Sequence, residues 1–190
     1  MASFADKPLL TVDSVEEWER WITDVGHPDG VRLRLRRKAS TLPGILYDDA
    51  LEVALCHGWI DGQKASLDED YHLQAFTPRR AASPWSQRNR DIVERLIADG
   101  RMHPAGQAEI DRAKQNGRWD AAYRVKDAPV PLDFQAALDA NPEAAKFFAT
   151  LTGQARFAFL FRIGTVKRAD TQARKIAEFT EILGRGETLR

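Results

Sequence analysis

The stretch VRLRLR at Val31–Arg36 alternates apolar and basic residues without a break. Successive side chains of a β-strand point to opposite faces of the sheet, so the apolar residues share one face and the arginines share the other. Two further runs rich in strand-forming residues, 60–66 and 71–77, flank an acidic turn at 67–70. Together the three runs predict a small antiparallel β-sheet that packs one face against a core.

Capping residues and helical periodicity predict helices on both sides of these strands. Ser14, with Glu17 three residues later, is typical of a capping box at the start of an amphipathic helix. The pair Ser83 and Pro84 is typical of a helix cap followed by the first helical residue. Further helices are predicted for residues 47–56, from Pro104 to Asn116, and, beyond a Pro-rich linker at 126–131, for residues 132–139, 142–151, 154–163 and 169–183.

The pattern of elements predicts an α+β protein of two parts. Residues 1–125 are expected to form the α+β domain, which carries a motif rich in tryptophan and arginine. Residues 132–190 are expected to form a helical C-terminal region packed on the first domain. A length of 190 residues with 43% hydrophobic residues is sufficient for such a core.

Charge and cysteine usage narrow the classes of function. The formal net charge is zero, so the protein as a whole has no electrostatic attraction to nucleic acid or anionic membranes. The single cysteine, Cys56, excludes a disulfide within the chain. The apolar run at 157–163 contains Arg162 and is too short to cross a bilayer, and the first eight residues do not resemble a signal peptide. We therefore expect a cytoplasmic protein without membrane insertion.

A ligand pocket is predicted in the segment from Gly58 to Asn89, which combines turn formers, large aromatic residues, a carboxylate, amides and arginines. Ligand pockets typically have apolar walls and a few polar groups that fix orientation. Arginines at the start of a helix favour an anionic or polar small ligand. The predicted ligand-binding residues are Trp59, Asp61, Gln74, Phe76, Arg79, Trp85, Ser86 and Asn89.

Two other classes of function stay open at this point. Asp61 with His57 or Ser86 offers acid–base chemistry for an enzyme of unknown reaction. The arginines of Val31–Arg36 offer phosphate contacts, namely Arg32, Arg34 and Arg36, although the pattern favours pairing with the acidic turn at 67–70 across strands. We do not expect nucleic-acid binding, and we find no sequence motif for a cofactor or a metal ion.

Several segments of the chain resemble the YdeI/OmpD-associated family, also described as bacteriocin-protection-like. They are 50–62 (ALEVALCHGWIDG), 73–80 (LQAFTPRR), 83–89 (SPWSQRN), 100–106 (GRMHPAG), 162–167 (RIGTVK), 173–176 (ARKI) and 184–188 (GRGET). The family often carries an aromatic residue where this chain has His57. The resemblance implies a role in tolerance of bacteriocins or cationic antimicrobial peptides and an association with an outer-membrane porin; it implies no defined reaction.

Overall fold

A four-stranded mixed sheet lies at the centre of the N-terminal part of the chain. The computed structural model describes residues 3–125, 128–166 and 168–189. Within them the strand order is β1-β2-β4-β3. The central pairs β2–β4 and β4–β3 are antiparallel, whereas β1 pairs with β2 in parallel. The strands are β1 Leu9–Leu10, β2 Val31–Arg36, β3 Trp59–Ser66 and β4 Tyr71–Pro78.

The α+β fold class is thus confirmed, with one correction to the sheet. The three predicted runs form the antiparallel part, but the short strand β1 makes the sheet mixed. Two residues are too few for an alternation pattern, so β1 left no signal in the sequence.

One face of the sheet packs against helices. Val31, Leu33 and Leu35 of β2 are fully buried on this face. The register places Leu33 opposite Gln74 and Leu35 opposite His72, so these two polar residues of β4 share the helix-covered face. The basic residues of β2 lie on the other face, as the alternation predicts.

Helix α2 is the main element on the covered face. The helices of this part are α1 Val15–Asp24, α2 Tyr47–Cys56, α3 Gln87–Ala98 and α4 Pro104–Gln115. Six of the ten residues of α2 are buried. The indole N–H of the buried Trp18 in α1 donates to the Ala50 carbonyl oxygen of α2 at 3.1 Å, which fixes α1 on α2.

The capping box before α1 is confirmed, whereas the predicted start of α3 is wrong. The Ser14 hydroxyl accepts from the Glu17 N–H at 3.2 Å. Helix α3 begins at Gln87, capped by Ser86, and not at Ser83. The Ser83 hydroxyl instead accepts from the Arg80 N–H at 2.9 Å and closes a turn before the helix. A serine followed by proline suits a turn as well as a helix start.

The C-terminal part contains helices, as predicted. They are α5 Leu132–Asp139, α6 Pro142–Thr150, α7 Gly153–Gly164 and α8 Ala169–Gly184. Their core is rich in phenylalanine: Phe134, Phe148, Phe159 and Phe179 pack ring edge to ring face, with centroid separations of 5.3 to 6.4 Å. Lys126 and Asp127 of the predicted linker lie outside the described residues.

The chain forms two compact units, which we call the sheet unit (Met1–Ala122) and the helical unit (Tyr123–Arg190). Each has its own hydrophobic core. The packing of the helical region on the first domain stays a prediction.

Gly106 in α4 permits a close approach between α4 and the end of α2. A Cβ atom at this position would overlap the Cys56 carbonyl oxygen, which belongs to the backbone of α2 and has no freedom to turn away. We predict that Gly106→Ala destabilises the sheet unit by about 2 kcal/mol, because the two helices must separate. All five tryptophans lie in the sheet unit, so urea unfolding followed by tryptophan fluorescence measures this loss.

Gly62→Ala is the matched control for this substitution. An added Cβ at Gly62 meets its nearest atom, the Ala75 Cβ, at 3.6 Å, an ordinary van der Waals contact. We expect the urea midpoint of unfolding of Gly62→Ala to stay close to that of the wild type. Equal midpoints for Gly106→Ala and Gly62→Ala would contradict the close approach of α4 to α2.

Candidate functional site

Four polar side chains meet where the first turns of α2 and α3 face strand β3; we call them the polar cluster (Tyr47, Asp48, Asp61 and Arg88). The Tyr47 hydroxyl donates to Asp61 Oδ2 at 2.9 Å and accepts from Arg88 Nη1 at 3.1 Å. Arg88 Nη2 donates to Asp48 Oδ1 at 2.9 Å. Three elements that are distant in sequence therefore meet in one continuous hydrogen-bond network.

The local structure explains how the cluster assembles. Tyr47 is the first residue of α2, and Arg88 is the second residue of α3, directly after the turn that Ser86 caps. Asp61 lies opposite Phe76 in the β3–β4 pair. Because Phe76 is fully buried on the helix-covered face, Asp61 points to the same side as α2 and α3.

Electrostatics keep Tyr47 protonated. Burial raises its pKa to about 12, the negative charge of Asp61 adds to this rise, and the bond from Arg88 opposes it. Burial disfavours the charge of Arg88, but Tyr47 and the carboxylates of Asp48 and Asp61 outweigh that effect and raise its pKa. The cluster thus holds a charged guanidinium and a neutral hydroxyl at neutral pH, beside the side chains of Asp48 and Asp61.

The cluster is open to solvent on one side. Just over half of the Arg88 and Asp48 side chains is exposed, at 53% and 55%. Lys38 approaches the outer oxygen of Asp48 at 3.6 Å and is exposed, so it contributes little binding energy. A small molecule therefore has access to Arg88 and Asp48 from solvent.

The eight predicted ligand-binding residues are distributed among different surroundings. Trp59 and Phe76 belong to the core: Trp18 packs against both, with centroid separations of 6.2 and 5.6 Å. Asp61 belongs to the polar cluster. The buried Gln74 donates from Nε2 to the Gly62 carbonyl oxygen at 2.7 Å. Two of the aromatic residues thus serve packing in this structure.

Ser86 and Asn89 are placed by the cap of α3. The Ser86 hydroxyl accepts from the Asn89 N–H at 3.2 Å, and Asn89 is 6% exposed. Ser86 therefore acts as a helix cap, worth about 1 kcal/mol.

Arg79 and Trp85 form a separate group at a narrow cleft. The Arg79 guanidinium lies over the Trp85 indole at 3.6 Å from the ring centroid, and Trp85 packs edge-on against Trp119 at 5.0 Å. The cleft is lined by Arg79, Arg80, Ala81, Ser83, Trp85, Glu109, Arg112, Ala113, Asn116 and Arg118. Its cavity volume of about 10 Å³ leaves room for roughly one water molecule.

The structure does not bring His57 or Ser86 to Asp61 for acid–base chemistry. His57 Nε2 lies 3.4 Å from Glu19 Oε1, and its ring stacks on His103 with centroids 4.6 Å apart. Burial lowers the pKa of His57, and the charge of His103 lowers it further. Glu19 acts in the opposite direction but does not cancel these two effects. Burial also raises the pKa of the neighbouring Cys56 thiol, which disfavours a reactive thiolate.

The three arginines of β2 are engaged within the chain. Arg34 pairs with Asp13 at 3.1 Å and lies 4.2 Å from the Tyr71 ring centroid. Arg32 Nε donates to the Lys7 carbonyl oxygen, and Arg36 Nε donates to the Gly44 carbonyl oxygen. Their partners are therefore not the acidic residues at 67–70 that the sequence suggested.

Tyr47 was missed as a site residue from sequence. Arg88 is one of the arginines at the start of a predicted helix, but the sequence does not distinguish it from the others. The two hydrogen-bonded pairs span 14 residues (Tyr47–Asp61) and 41 residues (Tyr47–Arg88), so no local motif connects them. The only sequence signal was the placement of Tyr47 and Asp48 at the start of a predicted helix.

A family model described as a domain of unknown function (DUF8412) matches residues 10–109 of the 190. The chain belongs to this family. Every residue of the polar cluster lies within the matched range of the DUF8412 domain. The residues of the cluster therefore belong to the part of the chain whose family has no assigned function.

A second family model, described as bacteriocin-protection, YdeI or OmpD-associated (OmdA), matches residues 127–186. This match confirms the resemblance stated from the sequence. It lies in the helical unit, whereas segments 50–62, 73–80, 83–89 and 100–106 fall in the DUF8412 domain or close to its end. No curated protein and no solved structure matches the chain.

Two kinds of feature are absent from the described residues. None of the helices there has the length and apolar character needed to cross a bilayer. Within the same ranges, no three side chains of His, Cys, Asp or Glu come together as ligands for a metal ion.

The hydrogen bonds of Tyr47 lead to a titration experiment. Three tyrosines are present, and we expect one of them to ionise near pH 12, a component that Tyr47→Phe removes. Asp61→Asn should lower this pKa because it removes a negative charge, and Arg88→Met should raise it because it removes a donor to the hydroxyl. Ultraviolet absorbance of tyrosinate against pH measures both shifts.

The same shift sets an alkaline limit to stability. The folded state holds the Tyr47 proton more tightly than the unfolded chain, whose tyrosine pKa is 10.0. The stabilisation is therefore complete below that pH and is lost as pH rises towards 12. If Asp61→Asn and Arg88→Met changed the pKa of Tyr47 in the same direction, the result would contradict the hydrogen-bond network of the polar cluster.

Proposed function

We propose that the sheet unit binds a small polar ligand at the polar cluster. The observation that carries the proposal is the bridging position of the Tyr47 hydroxyl, between a carboxylate and a guanidinium, at a junction open to solvent. Polar groups that converge from three elements are what a ligand site needs to fix orientation. A purely structural role would be served at lower desolvation cost by apolar residues.

The chemistry of the cluster indicates the kind of ligand. Arg88 presents a planar fork, which suits a carboxylate or phosphate that takes the place of the exposed Asp48. Asp61 accepts hydrogen bonds and suits a hydroxyl or amino group of the ligand. The ligand proposed is therefore a small molecule that carries one anionic group and at least one hydrogen-bond donor.

The other predicted site residues keep a place in this proposal. Gln74 lies on the neighbouring strand and on the same face as Asp61, and its bond to the Gly62 carbonyl oxygen holds the backbone next to Asp61. Trp59 and Phe76 support β3 and β4 from the core. Arg79 and Trp85 hold the turn before α3, because Arg79 Nη1 donates to the Pro84 carbonyl oxygen at 3.2 Å.

A thermal-shift screen of carboxylated and phosphorylated metabolites tests the binding. We expect a hit to raise the melting temperature of the wild type and to have little effect on Asp61→Asn or Arg88→Met, with affinity reduced about tenfold or more for each lost charged contact. Asp49→Asn is the matched control, because Asp49 is an exposed neighbour of Asp48 in the same helical turn. A ligand that stabilises Asp61→Asn and Arg88→Met as much as the wild type binds elsewhere and would exclude the cluster.

The physiological role proposed is tolerance of bacteriocins or cationic peptides, exerted from the cytoplasm. It is supported by the description of the family model that matches residues 127–186. We expect a deletion strain to be more sensitive to such peptides, wild-type protein to restore tolerance, and Asp61→Asn at equal expression to fail. Survival curves over a peptide series measure this, and a deletion strain with unchanged sensitivity would argue against the role.

A further inference from the structure

His72 on β4 is a buried imidazole to which no described residue forms a hydrogen bond. It is 5% exposed, and neither Nδ1 nor Nε2 has a partner among the described residues. Buried polar atoms of folded proteins are nearly always satisfied by protein, water or a bound ligand. The two ring nitrogens therefore need a partner that the described residues do not supply, either an ordered water molecule or a bound group.

The register of β3 and β4 defines what surrounds the imidazole. Ser66 is directly opposite His72, and Lys64 is its diagonal neighbour on the same face, because Lys64 pairs with Gln74. Arg37 reaches the same place from the end of β2: its Nη2 donates to Ser66 Oγ at 2.8 Å, and its Nε donates to the Asp68 carbonyl oxygen at 3.1 Å.

The charges at this place are positive and largely unused. Lys64 is exposed and makes no hydrogen bond or salt bridge with any other described residue. Arg37 bonds to a hydroxyl and a carbonyl oxygen but, within the described ranges, to no carboxylate. Burial lowers the pKa of His72, and the charges of Lys64 and Arg37 lower it further.

The acidic residues of the β3–β4 turn do not neutralise these cations. Asp68 Oδ1 accepts from the N–H groups of Asp70 and Tyr71 at 2.9 and 2.7 Å, so this carboxylate is used inside the turn. Over the described part of the chain, Glu69 and Asp70 form no salt bridge with Lys64 or Arg37. The three carboxylates still reduce the net potential and favour a small ligand of concentrated charge.

We propose that Arg37, Lys64, Ser66 and His72 form a binding site for a small oxyanion of the phosphate class. The anion accepts hydrogen bonds from Lys64 Nζ, from Arg37 Nη1 and from one N–H of the imidazole. This site is distinct from the polar cluster: His72 and the residue opposite Asp61 are four positions apart on β4, roughly 13 Å at the rise of a strand.

A bound anion changes the ionisation of His72. Without an anion the imidazole is neutral at pH 7, since burial and two cations oppose its charge. An anion offsets the two cations and accepts from the ring, so it favours the protonated form. By linkage, the anion binds more tightly as pH falls through the range in which His72 titrates.

The test follows the His72 resonances by NMR in the full chain. The probes are inorganic phosphate, glycerol phosphate and sulfate; sulfate does not titrate near neutrality, so its pH dependence reports the protein alone. We expect each anion to raise the pKa of His72, and we expect sulfate to bind more tightly at pH 6 than at pH 8. Tighter binding of glycerol phosphate than of phosphate would identify a phosphate monoester as the source of the anion.

Lys64→Ala is the deciding variant because Lys64 is exposed, and Lys146→Ala in α6 is the control with the same change of charge. We expect Lys64→Ala to weaken binding about tenfold and Lys146→Ala to leave it unchanged. His72→Gln should remove the pH dependence; if it does not fold, the pH profile of the wild type decides instead. An unchanged pKa of His72 with all three anions, or equal binding by Lys64→Ala and the wild type, would overturn the site and leave a water molecule as the partner of the imidazole.

Discussion

The burial of helix α2 is the constraint on which the sheet unit depends. One side of α2 covers the apolar face of the sheet, and the helices α1, α3 and α4 pack around the rest of it. Since so little of its surface is left for solvent, each neighbour must match α2 in shape. Two features show this complementarity. The Trp18 indole donates a hydrogen bond to the backbone of α2, and Gly106 has no side chain, so α4 approaches α2 closely.

The same constraint explains where polar chemistry is found. A buried helix interior has no room for unpaired charges, so polar groups collect at its ends. The N-terminal end brings Tyr47 to Asp61 and Arg88, and the C-terminal end brings His57 to His103. At the far end of β4, His72 is buried, and the charges of Lys64 and Arg37 are close enough to lower its pKa.

Sequence reasoning succeeded where the signal was local. The alternation in Val31–Arg36 and the capping box at Ser14 each report a single element, and both were found with the correct bounds or cap. The start of α3 was misplaced because Ser83 has equally good local uses in a turn. The polar cluster joins Tyr47 to residues 14 and 41 positions away, and such pairings are set by packing, which a pattern along one chain does not record.

The buried position of the single cysteine makes its thiol a reporter of local opening. Cys56 is 3% exposed at the last turn of α2, and its carbonyl oxygen accepts the N–H of His103 at the start of α4. A reagent in solution reaches the sulfur only when the packing around this end of α2 opens locally or the unit unfolds. The labelling rate of the native protein therefore measures how often this end of α2 opens, with no introduced probe and no change to the chain.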